Sequence, residues 1–356
     1  MLFRRDVPIM VKIISLFNHK GGVSKTTTAF NIGWILAEKG KRILLVDTDP
    51  QCNLTGLALN LSYQDDFQIF YASNGNHNIK SCLSPVFEGK PEAIKAANCF
   101  ELPNRNNLFL LPGHINFSDY DVSLNIAQNL TGSLLFTQNI PGAISHLLRT
   151  TAKTYNLDYI IIDMSPSISA TNANILMQSD YFIMPCSPDF FCDMAVDSLS
   201  QILPFWNETY KSIKQNHVFS QADYKLPDST PKFIGTIFQR YRPRNGSPTK
   251  SFQTWIDKIA TNVTHKLVPI LRNNDMMISE DKFFGKINPD EPYNIINISD
   301  FNSLIAQSQK YNVPVFSLTD EQLEQVGNVQ TNMKKNREDF YNTFSALAES
   351  IIFLTK

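Results

Sequence analysis

IISLFNHKGGVSKTT occupies residues 13–27 of this 356-residue chain. The stretch begins as an apolar, β-branched run and passes through two glycines into a segment that we predict to be helical over residues 25–39. A loop between a strand and a helix aims backbone N–H groups and the positive end of the helix dipole at one point. The sequence therefore predicts an anion site at residues 18–27, the phosphate loop, and Gly40 is expected to end the helix.

Short apolar runs recur along the chain and predict the strands of a sheet. Several are apolar without alternation, which is typical of parallel strands with helices on both faces. Strand, helix and strand within about 35 residues form a βαβ unit, and its repetition predicts a doubly wound, mostly parallel α/β fold. The predicted strands lie at residues 13–17, 43–46, 108–111, 159–162, 181–184, 233–238 and 313–316.

Three polar stretches interrupt this rhythm, at residues 61–107, 207–231 and 271–300. They contain prolines and many Asn or Ser residues, and they show little periodicity. We interpret them as insertions on one domain that spans residues 1–356, since a chain of this length can form one large α/β unit. A final helix is predicted over residues 329–354 from apolar residues spaced three and four apart.

Composition excludes several classes of protein. Lys and Arg total 32 against 33 Asp and Glu, so the chain is not globally basic and any contact with nucleic acid must rest on a local patch. Five scattered cysteines without a Cys-x-x-Cys pair argue against a disulfide framework or a zinc ribbon and favour a cytoplasmic protein. No apolar run reaches the ~18 residues of a membrane span.

The phosphate loop carries the residue types that bind a nucleoside triphosphate. Gly21 and Gly22 allow the backbone to approach a phosphate closely. Lys25 would reach the β- and γ-phosphates, and the Thr26 hydroxyl would ligate Mg²⁺. The ordinary pattern G-x-x-x-x-G-K-[ST] requires a glycine where Ser24 stands, and a serine with positive φ would be strained.

Acidic residues follow two of the predicted strands. The run at 43–46 leads into Asp47 and Asp49, and the run at 159–162 leads into Asp163. Open α/β sheets bind ligands at the carboxyl ends of their strands, so these acids are expected to meet the phosphate loop there. An Asp at the end of a buried strand would orient water on Mg²⁺, a cation that prefers oxygen ligands. Taken alone, the first acidic segment would fit an ordinary Asp-Pro turn.

The segment Lys20-Gly21-Gly22-x-x-Lys25-Thr26 resembles the deviant Walker A motif of the ParA/MinD family of ATPases. Residues 47–53, DTDPQCN, resemble the DxDPQxN switch segment of that family, and residues 158–167 resemble its Walker B strand. The resemblance covers most of the chain, is closest to the ParA-type partition ATPases, and implies the fold of a P-loop NTPase.

The resemblance also implies roles for individual residues. Lys20 is expected to reach the nucleotide of a partner subunit in an ATP-sandwich dimer, which would make hydrolysis depend on dimerisation. Asp49 would position the attacking water, while Asp47 would join Thr26 and Asp163 around Mg²⁺, with the two Asp side chains acting through water. The phosphate contacts come from Lys20, Gly21, Gly22, Val23, Ser24, Lys25, Thr26 and Thr27.

Two further assignments concern the segment after the run at 233–238. By resemblance, Gln239 or Arg240 contacts adenine. The basic residues Arg240, Arg242, Arg244 and Lys250 form the best local candidate for contact with DNA, which would be salt-dependent and independent of sequence. A solvated basic loop beside the nucleotide explains the same residues equally well.

The sequence thus favours a Mg²⁺-dependent ATPase that dimerises with ATP and acts in plasmid or chromosome partition with non-specific DNA and a protein activator. The alternative is a nucleotide-gated scaffold in a multi-protein assembly, in phage defence or protein positioning, without DNA contact. A membrane role is disfavoured, because residues 346–356 contain only one basic residue, Lys356.

Overall fold

The computed structural model describes residues 10–75, 77–103, 105–129, 137–241, 243–244, 247–287 and 291–356. Its strands are β1 (Lys12–Leu16), β2 (Ile43–Asp47), β3 (Phe100–Glu101), β4 (Leu108–Leu111), β5 (Tyr159–Asp163), β6 (Tyr181–Cys186), β7 (Lys232–Tyr241), β8 (Pro243–Arg244), β9 (Ser247–Pro248) and β10 (Asn294–Ser299).

Eight of these strands form one sheet in the order β10-β7-β6-β1-β5-β2-β4-β3. Every neighbouring pair is parallel except β3 and β4, which are antiparallel. All residues of β2 and β5 are buried, as expected for central strands covered on both faces. The predicted doubly wound, mostly parallel α/β fold is confirmed.

The helices connect and cover these strands. They are α1 (Lys25–Glu38), α2 (Asn53–Leu59), α3 (Gln64–Ser73), α4 (Ile79–Phe87), α5 (Asp119–Asn129), α6 (Ile140–Tyr155), α7 (Ala170–Met177), α8 (Phe190–Gln215), α9 (His217–Ser220), α10 (Lys250–Asn262), α11 (Val268–Asn273), α12 (Glu280–Phe284), α13 (Leu304–Tyr311) and α14 (Gly327–Leu354). A π-helical turn, Val263–Leu267, joins α10 to α11.

Helix α1 is the element that fixes the phosphate loop to the sheet. It contacts β2, β4 and β5, and Gly33 lets it approach closely, since a Cβ there would lie 2.6 Å from the Leu45 side chain. Gly40 ends the helix as expected, with φ at 81° and the Lys41 N–H donating to the Leu36 carbonyl at 3.1 Å. The packing of α1 on these strands therefore fixes where its first turn lies relative to the carboxyl ends of the strands.

Near the C-terminus the structure differs from the sequence expectation. The predicted strand at 313–316 is wrong, because Pro314 has no N–H for a ladder and a 3₁₀ turn, Val315–Ser317, follows it. Instead the edge strand is β10, which lies within the polar stretch 271–300. Helices α3 and α4 lie within the stretch 61–107. That these stretches are insertions on a single domain stays a prediction.

Candidate functional site

A cleft of about 860 Å³ opens where β1, β2 and β5 end. One wall consists of residues 21–27. The loops that follow β2 and β5 contribute residues 49–53 and Pro166. Arg240 at the end of β7 also lines the cleft. The cleft therefore lies at the carboxyl edge of the parallel sheet, where the sequence predicted the anion site.

Lys25 lies at the centre of the phosphate loop. Its side chain is buried, and its Nζ donates to the Asn18 carbonyl at 2.9 Å and to the Lys20 carbonyl at 3.3 Å. Burial lowers the pKa of Lys25, while Asp163 and Asp49 act in the opposite direction and favour its charge. The ammonium group is thus held inside the loop beside two acids, where an anion would meet it.

Ser24 adopts the left-handed conformation, with φ at 58°. This geometry is the strained one that the sequence anticipated for a serine at this position. The Ser24 carbonyl accepts a hydrogen bond from the Thr28 hydroxyl at 2.7 Å, which fastens the loop to the first turn of α1. Cys52 on the opposite wall is also left-handed, with φ at 53°. Strained backbone positions of this kind concentrate at functional sites.

Asp47 and Asp163 end adjacent parallel strands and lie opposite each other in the register of β2 and β5. Asp47 is saturated with hydrogen bonds. Its carboxylate accepts from the Thr55 N–H at 2.8 Å, the Thr55 hydroxyl at 2.7 Å and the Asp49 N–H at 3.2 Å. Burial nevertheless raises the pKa of Asp47 to about 6, against the hydrogen bonds from Thr55, which lower it.

Asp163 differs from Asp47 in its hydrogen bonding. It is buried, and neither of its carboxylate oxygens has a hydrogen-bond partner among the described residues. Burial raises the pKa of Asp163 well above its ordinary value and Asp47 adds to this, while the nearby Thr26 hydroxyl and Lys25 ammonium lower it in part. A buried carboxyl group without partners is costly, so its position beside the phosphate loop fits the binding of a cation or a hydrogen-bond donor there.

Asp49 is the acid that faces the cleft. Only 7% of its surface is exposed, and it lines the cleft. One of its carboxylate oxygens accepts a hydrogen bond from the Gln51 N–H at 3.0 Å. The structure therefore brings Lys25, Thr26 and Asp49 together in the cleft wall, with Asp47 directly behind Asp49.

Lys20 is placed differently from the other predicted residues. It does not line the cleft; its Nζ forms an ion pair with Asp189, the residue that caps α8 by accepting from the Cys192 N–H at 3.0 Å. Both side chains of the pair are partly exposed. Lys20 thus lies outside its own nucleotide cleft, and its side chain is 18% exposed.

The two residues predicted to contact adenine point in different directions. Gln239 is buried and its amide donates to the Thr28 hydroxyl, so it does not line the cleft. Arg240 lines the cleft and donates from Nη1 to the Gly22 carbonyl at 2.7 Å. Of the predicted DNA residues, Lys250 is exposed at the start of α10, Arg244 belongs to β8, and Arg242 lies outside the described residues.

Sequence reasoning missed the wall of the cleft that lies away from the phosphate loop. This wall includes Asn60, Phe67, Gln309 and Asn312. Asn60 and Asn312 are both left-handed residues that end helices, α2 and α13. A helix end marked by Asn is readable in a sequence, but the packing that joins these two ends around one cleft is not.

Within the ranges that the structure describes, no group of three or more His, Cys, Asp or Glu side chains is arranged to hold a metal ion. Among those residues there is also no helix with the length and apolar character that a membrane crossing requires.

Comparison with known proteins supports the resemblance. A family model described as an AAA domain matches residues 11–218. An uncharacterized protein of Methanocaldococcus jannaschii is 32% identical over 241 residues, which cover 68% of this chain and 78% of that protein. The sporulation initiation inhibitor protein Soj of Bacillus subtilis is 30% identical over 195 residues, which cover 54% of this chain and 64% of Soj. The matched region is therefore less than two thirds of Soj.

Two solved structures share the fold. A Cyanothece McdA–ATP complex superposes with a TM-score of 0.58 at 16% identity, covering 96% of each chain. The pNOB8 ParA bound to nonspecific DNA superposes with a TM-score of 0.53 at 20% identity, covering 97% of this chain and 98% of that one. At these identities the likeness shows the architecture alone.

Proposed function

The chain belongs to the ParA/MinD-like branch of the AAA domain family, and from that premise we propose that it is a Mg²⁺-dependent ATPase that dimerises when ATP is bound. The proposal extends to a cytoplasmic role in plasmid or chromosome partition, with non-specific DNA and a protein activator as partners. The five cysteines form no disulfide within the described residues, which agrees with a reducing compartment.

One observation carries the ATPase proposal: the partnerless, buried carboxyl group of Asp163 beside Lys25 and Thr26 at the floor of the phosphate loop. A Mg²⁺ ion with its water shell would satisfy this carboxylate, and oxygen ligands are what Mg²⁺ prefers. The loop itself offers backbone N–H groups and the start of α1 to phosphate. The residues present therefore fit Mg²⁺ with a nucleoside triphosphate.

When bound, the Mg²⁺ nucleotide supplies the phosphoryl group and shields its charge. The residues of the chain then have distinct tasks. Lys25 neutralises phosphate charge from inside the loop, and Asp163 orients water in the metal shell. Asp49, whose carboxylate faces the cleft, holds the attacking water and accepts its proton. Lys20 serves the partner subunit, since in this structure it pairs with Asp189 and does not line its own cleft.

Nucleotide binding and turnover test the enzyme proposal. Lys25→Ala is expected to abolish ATP binding, because it removes the buried cation at the centre of the loop. Lys335→Ala is the matched control, since it removes one exposed lysine of α14 outside the cleft lining. Asp49→Ala should bind ATP and remain a dimer without hydrolysing it. Unchanged turnover in Asp49→Ala would contradict the role of that carboxylate.

DNA binding is proposed on two grounds: the likeness in fold to pNOB8 ParA, which was solved on nonspecific DNA, and the basic residues of segment 242–250, which are Arg242, Arg244 and Lys250. Fluorescence anisotropy with a labelled duplex should detect binding with ATP and not with ADP. Each phosphate neutralised contributes a slope of about −0.9 to the plot of log affinity against log salt concentration. A dimer in which Arg242, Arg244 and Lys250 of each subunit contact phosphates is therefore expected to give a slope of about −5.

A nucleotide-gated scaffold without DNA contact is the second candidate. Ion pairs between α8 and the helical segment 250–267 favour it. Lys258 pairs with Asp193 at 2.9 Å and Lys266 pairs with Asp197 at 2.7 Å, so α8 neutralises these two lysines. Absence of DNA binding at low salt in every nucleotide state, with ATP-dependent dimerisation retained, would establish the scaffold instead.

A further inference from the structure

Thr55 joins the end of β2 to the end of β4. It lies in α2 and is fully buried, so its hydroxyl group must find its partners inside the protein. The hydroxyl donates to Oδ2 of Asp47 at 2.7 Å and accepts from the Gly113 N–H at 2.9 Å. The Thr55 N–H donates to the same oxygen of Asp47 at 2.8 Å. Thr55 therefore bridges the carboxyl ends of two strands that are neighbours in the sheet.

This bridge depends on the absence of a side chain at Gly113. A Cβ at this position would lie 3.0 Å from Cγ of Asp47 and 3.1 Å from Sγ of Cys52. Both distances are shorter than an ordinary van der Waals contact. The backbone at Gly113 thus packs directly on the Asp47 carboxylate, where its N–H reaches the Thr55 hydroxyl.

Asp47 passes this constraint to the acid that faces the cleft. While Thr55 holds Oδ2 of Asp47, Oδ1 accepts from the Asp49 N–H at 3.2 Å. On the other side, the Thr48 N–H and hydroxyl both donate to the Asp163 carbonyl, at 3.0 and 2.8 Å. The backbone that carries the Asp49 carboxylate is therefore fixed from both neighbouring strands, and Thr55 is the link on the β4 side.

We propose that Thr55 is a positioning residue for ATP hydrolysis, which sets the orientation of Asp47 and thereby the place of the Asp49 carboxylate in the cleft. This inference rests on the proposed ATPase function. Thr55 is not among the residues that line the cleft, so it acts through Asp47 and Asp49. A displacement of about 1 Å in a catalytic group can cost a hundredfold in rate. The effect of Thr55 should therefore fall on turnover and not on ATP binding.

Thr55→Val isolates the hydroxyl, because it nearly keeps the shape of the side chain and replaces the donor and acceptor by a methyl group. The buried Gly113 N–H then loses its acceptor. The Asp47 carboxylate lies against Gly113 and can rotate to take the place of that acceptor, which draws Oδ1 away from the Asp49 N–H. Thr55→Ser keeps the hydroxyl and removes only a methyl group, so it should preserve the bridge.

Thr151→Val is the matched control. Thr151 is also fully buried, and its hydroxyl donates to the Leu147 carbonyl at 2.8 Å and accepts from the Ala97 N–H at 2.9 Å. It lies in α6 and does not line the cleft. Both valine variants lose one buried hydroxyl bridge, so both should melt about 1–4 °C below the wild type.

Single-turnover hydrolysis and ATP titration of the full-length protein, both below the melting temperatures, measure the effect. Thr55→Val is expected to hydrolyse saturating ATP at least about tenfold more slowly than the wild type, while its dissociation constant for ATP changes by less than about threefold. Thr55→Ser should stay within about threefold of the wild-type rate. Thr151→Val should keep the wild-type rate in spite of its loss of stability.

Three results would overturn the inference. The first is equal turnover in Thr55→Val and Thr151→Val, and the second is an equal loss in Thr55→Ser and Thr55→Val. The third is a weaker affinity for ATP that accounts for the whole effect, since Thr55 would then act on binding. A wild type that binds ATP without hydrolysing it would instead refute the proposed ATPase function, and the role of Thr55 with it.

Discussion

Two adjacent buried carboxyl groups should respond differently to the same isosteric substitution. We expect Asp163→Asn to stabilise the nucleotide-free protein in EDTA, because neither oxygen of Asp163 has a partner and a neutral amide is cheaper to bury than a carboxylate. Asp47→Asn should bring no such gain. It would lose a charge-assisted bond from Asp49 or Thr55 and would turn an amide N–H towards a backbone or hydroxyl donor.

The magnitudes follow from these contacts. A buried group without a partner costs about 1–3 kcal/mol when it is neutral and more when it is charged, so removing the charge in Asp163→Asn should raise the free energy of unfolding by about 1–3 kcal/mol. With an unfolding entropy of ~2.1 cal/mol/K per residue, this corresponds to a rise in Tm of about 1–4 °C for a chain of this length. Burial raises the pKa of Asp47 from 3.8 to about 6, so removing its charge would recover roughly 3 kcal/mol. The loss of a charge-assisted hydrogen bond, which is worth about 1.5–3 kcal/mol, offsets this gain.

The pH dependence gives the stricter version of this test. The pKa of Asp163 is raised in the folded chain, so the folded state holds the proton more tightly than the unfolded state. The penalty is absent below the ordinary pKa of 3.8 and grows as the pH rises above it. The advantage of Asp163→Asn should therefore be present in full at pH 7.5 and clearly smaller at pH 4.5, and it should vanish only below the ordinary pKa of 3.8.

Differential scanning calorimetry of the wild type and both variants, at the two pH values in EDTA, measures these differences. Added Mg²⁺ and ATP should raise the Tm of the wild type by mass action, and the Mg²⁺-dependent part of that rise should be missing in Asp163→Asn. The reasoning is refuted if Asp163→Asn melts below the wild type at pH 7.5, or if its gain is the same at both pH values.

Three further substitutions test separate parts of the account. Lys20→Ala should retain ATP binding and lower turnover by at least about a hundredfold, since a cation supplied in trans contributes 10³–10⁵ in related chemistry; near-normal single-turnover rates would contradict this. Ser24→Gly should raise the unfolding free energy by up to about 1 kcal/mol in urea titration by relieving the left-handed strain, and a loss of stability would argue against strain. Gly142→Ala should cost about 3 kcal/mol in the same titration, because its Cβ would lie 1.9 Å from the Tyr224 carbonyl oxygen; Gly89→Ala, which meets nothing within 4 Å, should cost about 1 kcal/mol.

Much of the fold and of the candidate site was readable because the signals are local. The phosphate loop lies between a strand and a helix, and the acids of β2 and β5 come directly after continuous apolar runs, so their meeting follows from the parallel sheet alone. Strand β10 was missed, because Asn and Ser interrupt the apolar residues of its sequence NIINIS and it lies at an edge where only two of its residues are buried.

The contacts that give Lys20 and Arg240 their surroundings were beyond the reach of the sequence. Lys20 and Asp189 are 169 residues apart, and Arg240 and Gly22 are 218 apart. No periodicity or spacing encodes such pairs, since they depend on which strands are neighbours and on a one-residue bulge in β7. The adenine assignment for Gln239 had the same weakness, because a one-residue change of register decides whether a strand residue faces the cleft or the interior.

Mixing two inactive variants tests the central claim, an ATP-switched dimer in which each subunit completes the site of the other. Lys20→Ala keeps its own Lys25, and Lys25→Ala keeps Lys20, so a mixed dimer contains one complete site. Turnover in a 1:1 mixture should rise well above the sum of the separate variants, towards a ceiling of about a quarter of the wild-type rate for random pairing in a two-fold dimer. Turnover equal to that sum, in a mixture that sedimentation shows to form dimers, would contradict the account.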